Sequence, residues 1–431
     1  MLRNLYTLML TLMLPLIFVR LFWRSLRQRG YRHNIGERFG RYHQPALKDC
    51  LWIHAVSVGE IRAAEPLIRR LKTRYPTRSI LLTCMTVTGR ATAMELFGHT
   101  LTGVYLPYDF FAAHQRLLDH FRPSILLIME TEIWPNLLHA CEQNSVPALI
   151  VNARLSEKSF AGYARFSAVR SLVREALQSM RVVAAQSADD AERFRALGAL
   201  DAQKIAVTGN IKFDMESQPY LVELGAGWRV AQQTRQILLC ASTREGEEAL
   251  LLAAYTQIFA ADARRISLLV IVPRHPQRFD QVATEIERAG LSFARRSLQT
   301  SETVDQWTSE VLLGDSMGEM VAYFTLCDIA IIGGSFLPLG GQNLIEACAL
   351  GKPVIMGPST FNFAEAARLA EAAGAMQRVP DAREAMRSAH TLLRDSARRT
   401  LMSNAGLQLV RANSGATEKT MALVAAALGE N

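Results

Sequence analysis

Residues 51–72, LWIHAVSVGEIRAAEPLIRRLK, contain the unit from which the fold is built. Leu51–Val56 is a short apolar run, Ser57-Val58-Gly59-Glu60 interrupts it, and the residues that follow suit a helix. A buried strand, a tight turn and a helix form the repeating element of a parallel sheet covered on both faces. The same alternation continues outward. Strands are predicted at Ser79–Thr83, Ile125–Met129, Ala148–Val151 and Val182–Ala185, each followed by a helix-compatible stretch. Val207-Thr208-Gly209-Asn210 and the polar stretch from Asp214 to Pro219 break the pattern. Strands resume at Ile237–Ala241, Leu268–Val272, Val311–Leu313, Ile329–Ile332 and Val354–Met356, and helical sequence runs from about Asn362 to the end.

The pattern predicts an α/β chain with two Rossmann-like domains, and 431 residues suit two cores of roughly 150–200 residues each. The expected divisions are an amino-terminal basic-flanked anchor at 1–32, a first domain at 33–207 and a linker at 208–232. A second domain at 233–400 and a helical segment at 401–431 follow. In such sheets ligands bind beyond the carboxyl ends of the strands, where strand order reverses, so the chemistry is expected in a cleft shared by two facing domains.

Composition narrows the function. Hydrophobic residues make up 49% and charged residues 20%, which excludes disorder. The six cysteines are scattered singly without a Cys-x-x-Cys, as in a reducing compartment. A net charge of +8 suits an acidic partner, but no basic run is interleaved with aromatics, which disfavours nucleic acid. No Gly-x-Gly-x-x-Gly follows the first strand. Walker-type loops, nucleophile elbows and zinc spacings are also missing, which weakens the dehydrogenase, NTPase, hydrolase and metal readings.

Leu5 to Val19, LYTLMLTLMLPLIFV, carries no charge and is followed by Arg20, Arg24, Arg27, Arg29 and Arg32. No small-residue cleavage site follows, so an uncleaved membrane anchor is expected, bent at Pro15. Fifteen residues at about 1.5 Å each fall short of a roughly 30 Å hydrocarbon core, and the arginines place the rest of the chain on the cytoplasmic side.

Four junctions share one spacing: Ser57 to Glu60, Ser242 to Glu245, Ser316-Met317-Gly318-Glu319 and Asn343-Leu344-Ile345-Glu346. Each fits a capping box, and each also fits a helix N-terminus that receives an anion. Glu60, after the first strand, is a general-base candidate. Glu130 and Glu132 end a buried strand, where lost solvation must be replaced by partners or by a helix cap. Gly333-Gly334 and Gly340-Gly341 bracket a loop suited to phosphate, and Pro273-Arg274 ends another strand with a potential bidentate donor. Lys212 lies near the linker, where it either offsets developing charge or is simply solvated.

Taken together, HAVSVGE (54–60), METEIWPN (129–136), NARLS (152–156), TGNIKFD (208–214), PRHPQRF (273–279), GDSMGEM (314–320), GGQNLIEA (340–347) and MGPSTFNF (356–363) resemble 3-deoxy-D-manno-octulosonic acid (Kdo) transferases of lipid A synthesis. The resemblance spans nearly the whole chain. It implies a GT-B fold behind a membrane-anchor helix, CMP-Kdo as donor, a lipid A precursor (lipid IVA) as acceptor, inversion, no required metal or other cofactor, and the cytoplasmic face of a bacterial inner membrane. Carried over, Glu60 is the base, and Glu130 and Lys212 stabilise the transition state. Pro273, Arg274, Met317, Gly318, Glu319, Asn343, Leu344, Ile345 and Glu346 hold CMP. Gln342 and Leu344 depart from the His and Pro usual in that motif. Two other readings share these features: a different GT-B nucleotide-sugar transferase or epimerase, and a non-catalytic ligand clamp at a membrane surface.

Overall fold

The computed structural model describes residues 2–27, 29–214, 218–232, 235–259, 267–299 and 307–430. Met1 and Gln28 of the expected anchor and residues 215–217 of the expected linker lie outside them. Two compact units are present: Met1–Asp214 with Ser414–Asn431, and Met215–Asn413.

The first unit contains β1 (Cys50–His54), β2 (Ile80–Cys84), β3 (Thr102–Tyr105), β4 (Pro123–Met129), β5 (Ala148–Ala153), β6 (Val182–Ala185) and β7 (Ile205–Val207). They pair in the order β3-β2-β1-β4-β5-β6-β7, every pair parallel. β1 is buried along its whole length, because helices cover both faces. Its polar side chains meet at one hydroxyl: Trp52 Nε1 donates to Thr83 Oγ1 (2.9 Å) and His54 Nδ1 lies 2.9 Å from the same oxygen, while His54 Nε2 is buried without a partner among the described residues. Burial lowers the His54 pKa to about 3, so this imidazole is a neutral core group.

The second unit repeats the plan with β8 (Gln236–Thr243), β9 (Ser267–Pro273), β10 (Phe293–Arg295), β11 (Val311–Leu313), β12 (Ile329–Ile332), β13 (Val354–Met356) and β14 (Met376–Arg378). Their order is β10-β11-β9-β8-β12-β13-β14, again parallel throughout. Strand order reverses between β1 and β4 in one sheet and between β8 and β12 in the other. The strands missing from the sequence expectation are β3, β7, β10 and β14, which are the four sheet edges. Each has three or four residues and at least two of them incompletely buried; β3, β10 and β14 also carry polar residues or glycine, whereas β7, Ile205-Ala206-Val207, is apolar but only three residues long.

The expected separate helical segment at 401–431 is divided between the units. Helix Ser396–Asn413 belongs to the second, while helix Ala416–Ala427 returns to the first. Ala416, Met421 and Val424 enter the core that holds Ile61, Leu67, Leu71 and Ile211. Asp214 caps the returning helix, its Oδ1 accepting from Gly415 N (2.6 Å) and its Oδ2 from Thr417 N (2.5 Å).

The amino terminus forms two helices, Leu2–Leu12 and Leu14–Arg27, bent by 50° at their junction. Pro15, which lacks an N–H, sits in the first turn of the second helix and leaves the ladder open at the bend. Among the described residues no single helix is long and apolar enough to cross a membrane; the bent pair passes that test only together. The first helix is fastened to the unit by Asn136 Nδ2, which donates to Thr7 Oγ1 (3.0 Å). Leu12, Leu16, Phe22 and Trp23 are all more than 60% exposed, so an apolar face remains uncovered.

Met421→Ala should destabilise the first unit by about 2–5 kcal/mol, the usual cost of truncating a packed methionine. Chemical denaturation followed by far-UV circular dichroism reads it; a loss under about 1 kcal/mol would mean the returning helix is peripheral.

Candidate active site

In the first unit the three residues expected to carry chemistry come together beyond β1 and β4, where strand order reverses. Helix Val58–Arg74 begins at the cap residue Ser57, whose Oγ accepts from Glu60 N at 3.5 Å. The Glu60 carboxylate folds back to accept from Val56 N (2.7 Å) and Ser57 Oγ (3.1 Å). The capping box is real here, and the same carboxylate is the base candidate.

Glu130 leaves β4 with φ 58°, a left-handed conformation that a non-glycine residue adopts at a cost. Its amide donates to Val151 O of β5 (3.0 Å). Lys212, on the turn Ile211–Asp214, places Nζ 3.1 Å from Glu130 Oε1. Ile211 and Phe213 on either side are buried, so the turn belongs to the first unit's core rather than to a solvated linker.

Glu132 is the third carboxylate of the group. Burial, opposed by the hydrogen bond from Val56 and reinforced by the charges of Glu130 and Glu132, raises the Glu60 pKa to about 7. Burial and then the Glu130 charge raise Glu132 to about 7 as well. Two carboxyls raised toward neutrality therefore accompany an ion pair, an arrangement that acid–base sites favour and that structural ion-pair networks also produce.

The donor candidates of the second unit lie at the carboxyl ends of its strands. Pro273 closes β9, and Arg274 N donates to Thr243 O at 2.9 Å. The charges of Arg244, Arg274 and Arg278, after burial, depress the His275 pKa, so cations converge at the exits of β8 and β9. Met317 is exposed, Gly318 has φ 79°, and Glu319 Oε1 accepts from Arg296 (2.8 Å). Glu319 Oε2 is buried without a hydrogen-bond partner among the described residues, an acceptor that a ligand hydroxyl or amine would satisfy. Asn343 Oδ1 accepts from Ile345 N (3.0 Å) and its amide donates to Glu346 Oε1 (3.0 Å), while Leu344 and Ile345 are buried.

Two expected boxes are corrected. Thr243 extends β8 and Gly246 (φ 87°) caps the next helix, so Glu247 rather than Glu245 folds back, accepting from Arg244 N at 2.9 Å. Glu319 is itself the cap of helix Met320–Leu326 without a side-chain bond, and Ser316 instead hydrogen-bonds Tyr323 (2.7 Å).

Sequence reasoning missed the consecutive glutamates that organise this edge, both wholly buried. Glu247 also accepts from Gly334 N (2.6 Å) and Phe336 N (2.9 Å), binding the exit of β8 to the glycine loop after β12. A side chain at Gly333 would lie 2.6 Å from Ser242 O, which is why that loop needs glycine. Glu248 receives both arms of Arg278 (2.6 and 3.0 Å) and the Thr243 hydroxyl (2.8 Å). The readable signal was two adjacent carboxylates directly after a buried strand and a glycine.

Two Rossmann-like units of this topology define the chain as a GT-B type protein. A structure of UDP-GlcNAc 2-epimerase from Neisseria meningitidis shares that fold, with a TM-score of 0.58 at 15% identity over 87% of this chain and 99% of its own. The family profile of 3-deoxy-D-manno-octulosonic-acid transferase (kdotransferase) matches residues 33–215. The 3-deoxy-D-manno-octulosonic acid transferase of Bordetella pertussis is 44% identical over 97% of this chain and 98% of its own length. That of Haemophilus influenzae is 35% identical over 100% and 99%. The chain belongs to the 3-deoxy-D-manno-octulosonic acid transferase family of glycosyltransferases.

The raised carboxyls link pH to stability. A Glu132 pKa near 7 in the fold, above its unfolded value, stabilises the protein below the ordinary carboxyl range and loses that contribution as pH rises through 7. Glu132→Gln should therefore raise Tm more at pH 8 than at pH 5 in differential scanning calorimetry; an equal shift at both pH values would contradict the raised pKa.

Proposed function

We propose that this chain transfers Kdo, with inversion, from CMP-Kdo to a hydroxyl of a lipid A precursor such as lipid IVA, at the cytoplasmic face of a bacterial inner membrane. The observation that carries the reading is the Glu60–Glu130–Lys212 arrangement in a member of this family. The acceptor oxygen bonds to the anomeric carbon of Kdo as its proton passes to Glu60. The bond from that carbon to the CMP phosphate oxygen breaks, and its electron pair leaves with CMP. A base with a pKa near 7 is about half deprotonated at neutral pH and still basic enough to take the proton. Lys212, held against Glu130, supplies fixed positive charge as negative charge develops.

The second unit's features suit the donor. Pro273, Arg274, Met317, Gly318, Glu319, Asn343, Leu344, Ile345 and Glu346 are its ligands in this reading. Arg244 and Arg274 favour a phosphate, and the buried, unpartnered Glu319 Oε2 suits a donor group of the nucleotide. A nucleotide monophosphate is a sufficient leaving group for preorganised charge to lower the remaining barrier, so no metal enters the scheme.

The exposed apolar face of the first two helices, flanked by Arg20 and Arg24, supports attachment to an anionic bilayer. Leu12→Asp with Trp23→Asp should abolish co-sedimentation with vesicles of anionic phospholipid while leaving the secondary structure unchanged. Undiminished binding would remove these helices from the membrane contact.

Purified protein incubated with lipid IVA and CMP-Kdo generated in place should add one or more Kdo masses, with or without EDTA. The rate should rise with pH through about 7 as Glu60 deprotonates, and Glu60→Gln should lower kcat by about 10²–10⁴. No product from folded protein, or product from a UDP-sugar instead, would overturn the reading.

A further inference from the structure

The Glu130–Lys212 pair joins groups from distant parts of the first unit, and its 3.1 Å separation depends on how each backbone is held. Both are held by neighbouring residues at the end of β5. Val151 O accepts the Glu130 amide at 3.0 Å. Asn152 Oδ1 accepts the amide of Ile211, the residue before Lys212, also at 3.0 Å. Asn152 is wholly buried, and its own carbonyl accepts from Gln186 Nε2 (2.9 Å), so the residue cannot swing away.

The amide orientation follows from this network. Because Ile211 offers an N–H, the Asn152 oxygen must face it and Nδ2 must face elsewhere. That nitrogen is buried without a partner among the described residues. An unpaired buried donor is unfavourable, and an aliphatic side chain would avoid it but leave the Ile211 amide without its acceptor. Asn152 also has φ 54°, a conformation that asparagine and glycine tolerate better than other residues.

We propose that Asn152 is the positioning residue of the catalytic ion pair: it sets the turn that carries Lys212 against Glu130 without touching the reacting atoms. The inference rests on the role given above to Glu130 and Lys212. Other residues of the turn are secured separately. Lys212 N is bound by Asn210 Oδ1 (3.0 Å) and Asp214 caps the returning helix, so loss of Asn152 should loosen the lysine's placement without unfolding the unit.

Asn152→Gly tests this, since it keeps the left-handed backbone and deletes the side chain that carries the amide. The expected result is a kcat at least tenfold lower, KM values for donor and acceptor within twofold of wild type, and no further loss of kcat in a Lys212→Ala background. A second readout needs no substrate: the rate at which an amine-reactive reagent labels Lys212, read by peptide mass, should change at least threefold. Asn152→Asp, which keeps the acceptor, should label at the wild-type rate.

An unchanged kcat in Asn152→Gly, an equal loss in the Lys212→Ala background, or unchanged Lys212 labelling overturns the proposal. If the glycine variant does not fold, Asn152→Asp decides: wild-type labelling supports the proposal, and altered labelling overturns it. Wild-type protein without transferase activity would defeat the functional reading alone, and labelling would still decide the positioning role.

Discussion

A carboxylate that folds back onto the loop leaving the first strand recurs in both units, and the loop geometry at that end of each sheet depends on it. In the first unit Glu60 closes onto Val56 N; in the second Glu247 closes onto Arg244 N. Each follows the strand beside the point where its sheet reverses direction. Parallel strands end there with their loops diverging, so backbone amides would otherwise be left unpaired. Environment separates the two uses. Glu247 collects three backbone N–H groups and is wholly buried, which makes it a structural clamp. Glu60 accepts from one backbone amide and one hydroxyl, remains partly accessible and has neighbouring carboxylates, which leaves it able to exchange a proton.

The first unit's electrostatics follow from unequal compensation. Three glutamates share one region, and Lys212 is committed to Glu130 at 3.1 Å. Glu130 thus gains a cation while its charge acts on the other two. Burial is the main cause of the raised Glu60 pKa, and the Glu130 charge adds to it. The left-handed backbone at Glu130 belongs to this arrangement, because it turns the chain as it leaves β4, while the amide stays bound to Val151.

What was legible in the sequence followed burial. Val182–Ala185, Val311–Leu313, Ile329–Ile332 and Val354–Met356 are observed with the predicted bounds, because interior strands of a parallel sheet must be apolar on both faces. The edge strands β3 and β14 escaped because Thr102-Gly103 and Gln377-Arg378 interrupt any apolar run. Local spacing revealed the box at Ser57–Glu60 but misplaced the one after β8. There, pairing of Thr243 with Pro273 extends the strand and delays the helix. Tertiary partners were invisible to spacing altogether. Asn152 was one letter of a motif, and its meaning depends on Ile211, 59 positions away.

The two edges also solve opposite electrostatic problems. The first unit gathers carboxylates in a partly buried group and offsets only one of them with lysine, which suits the proton exchange that the proposed base requires. An anionic nucleotide must meet no uncompensated negative charge, yet Glu247 and Glu248 are both wholly buried in the unit assigned to it. Their hydrogen bonds resolve the conflict. Glu248 is neutralised by both arms of Arg278, and Glu247 spreads its charge over amides from two loops. Arg244 and Arg274 near His275 then leave that edge favourable to phosphate. Buried acids can therefore support an anion site when they set loop shape and their charge is already accounted for within the fold.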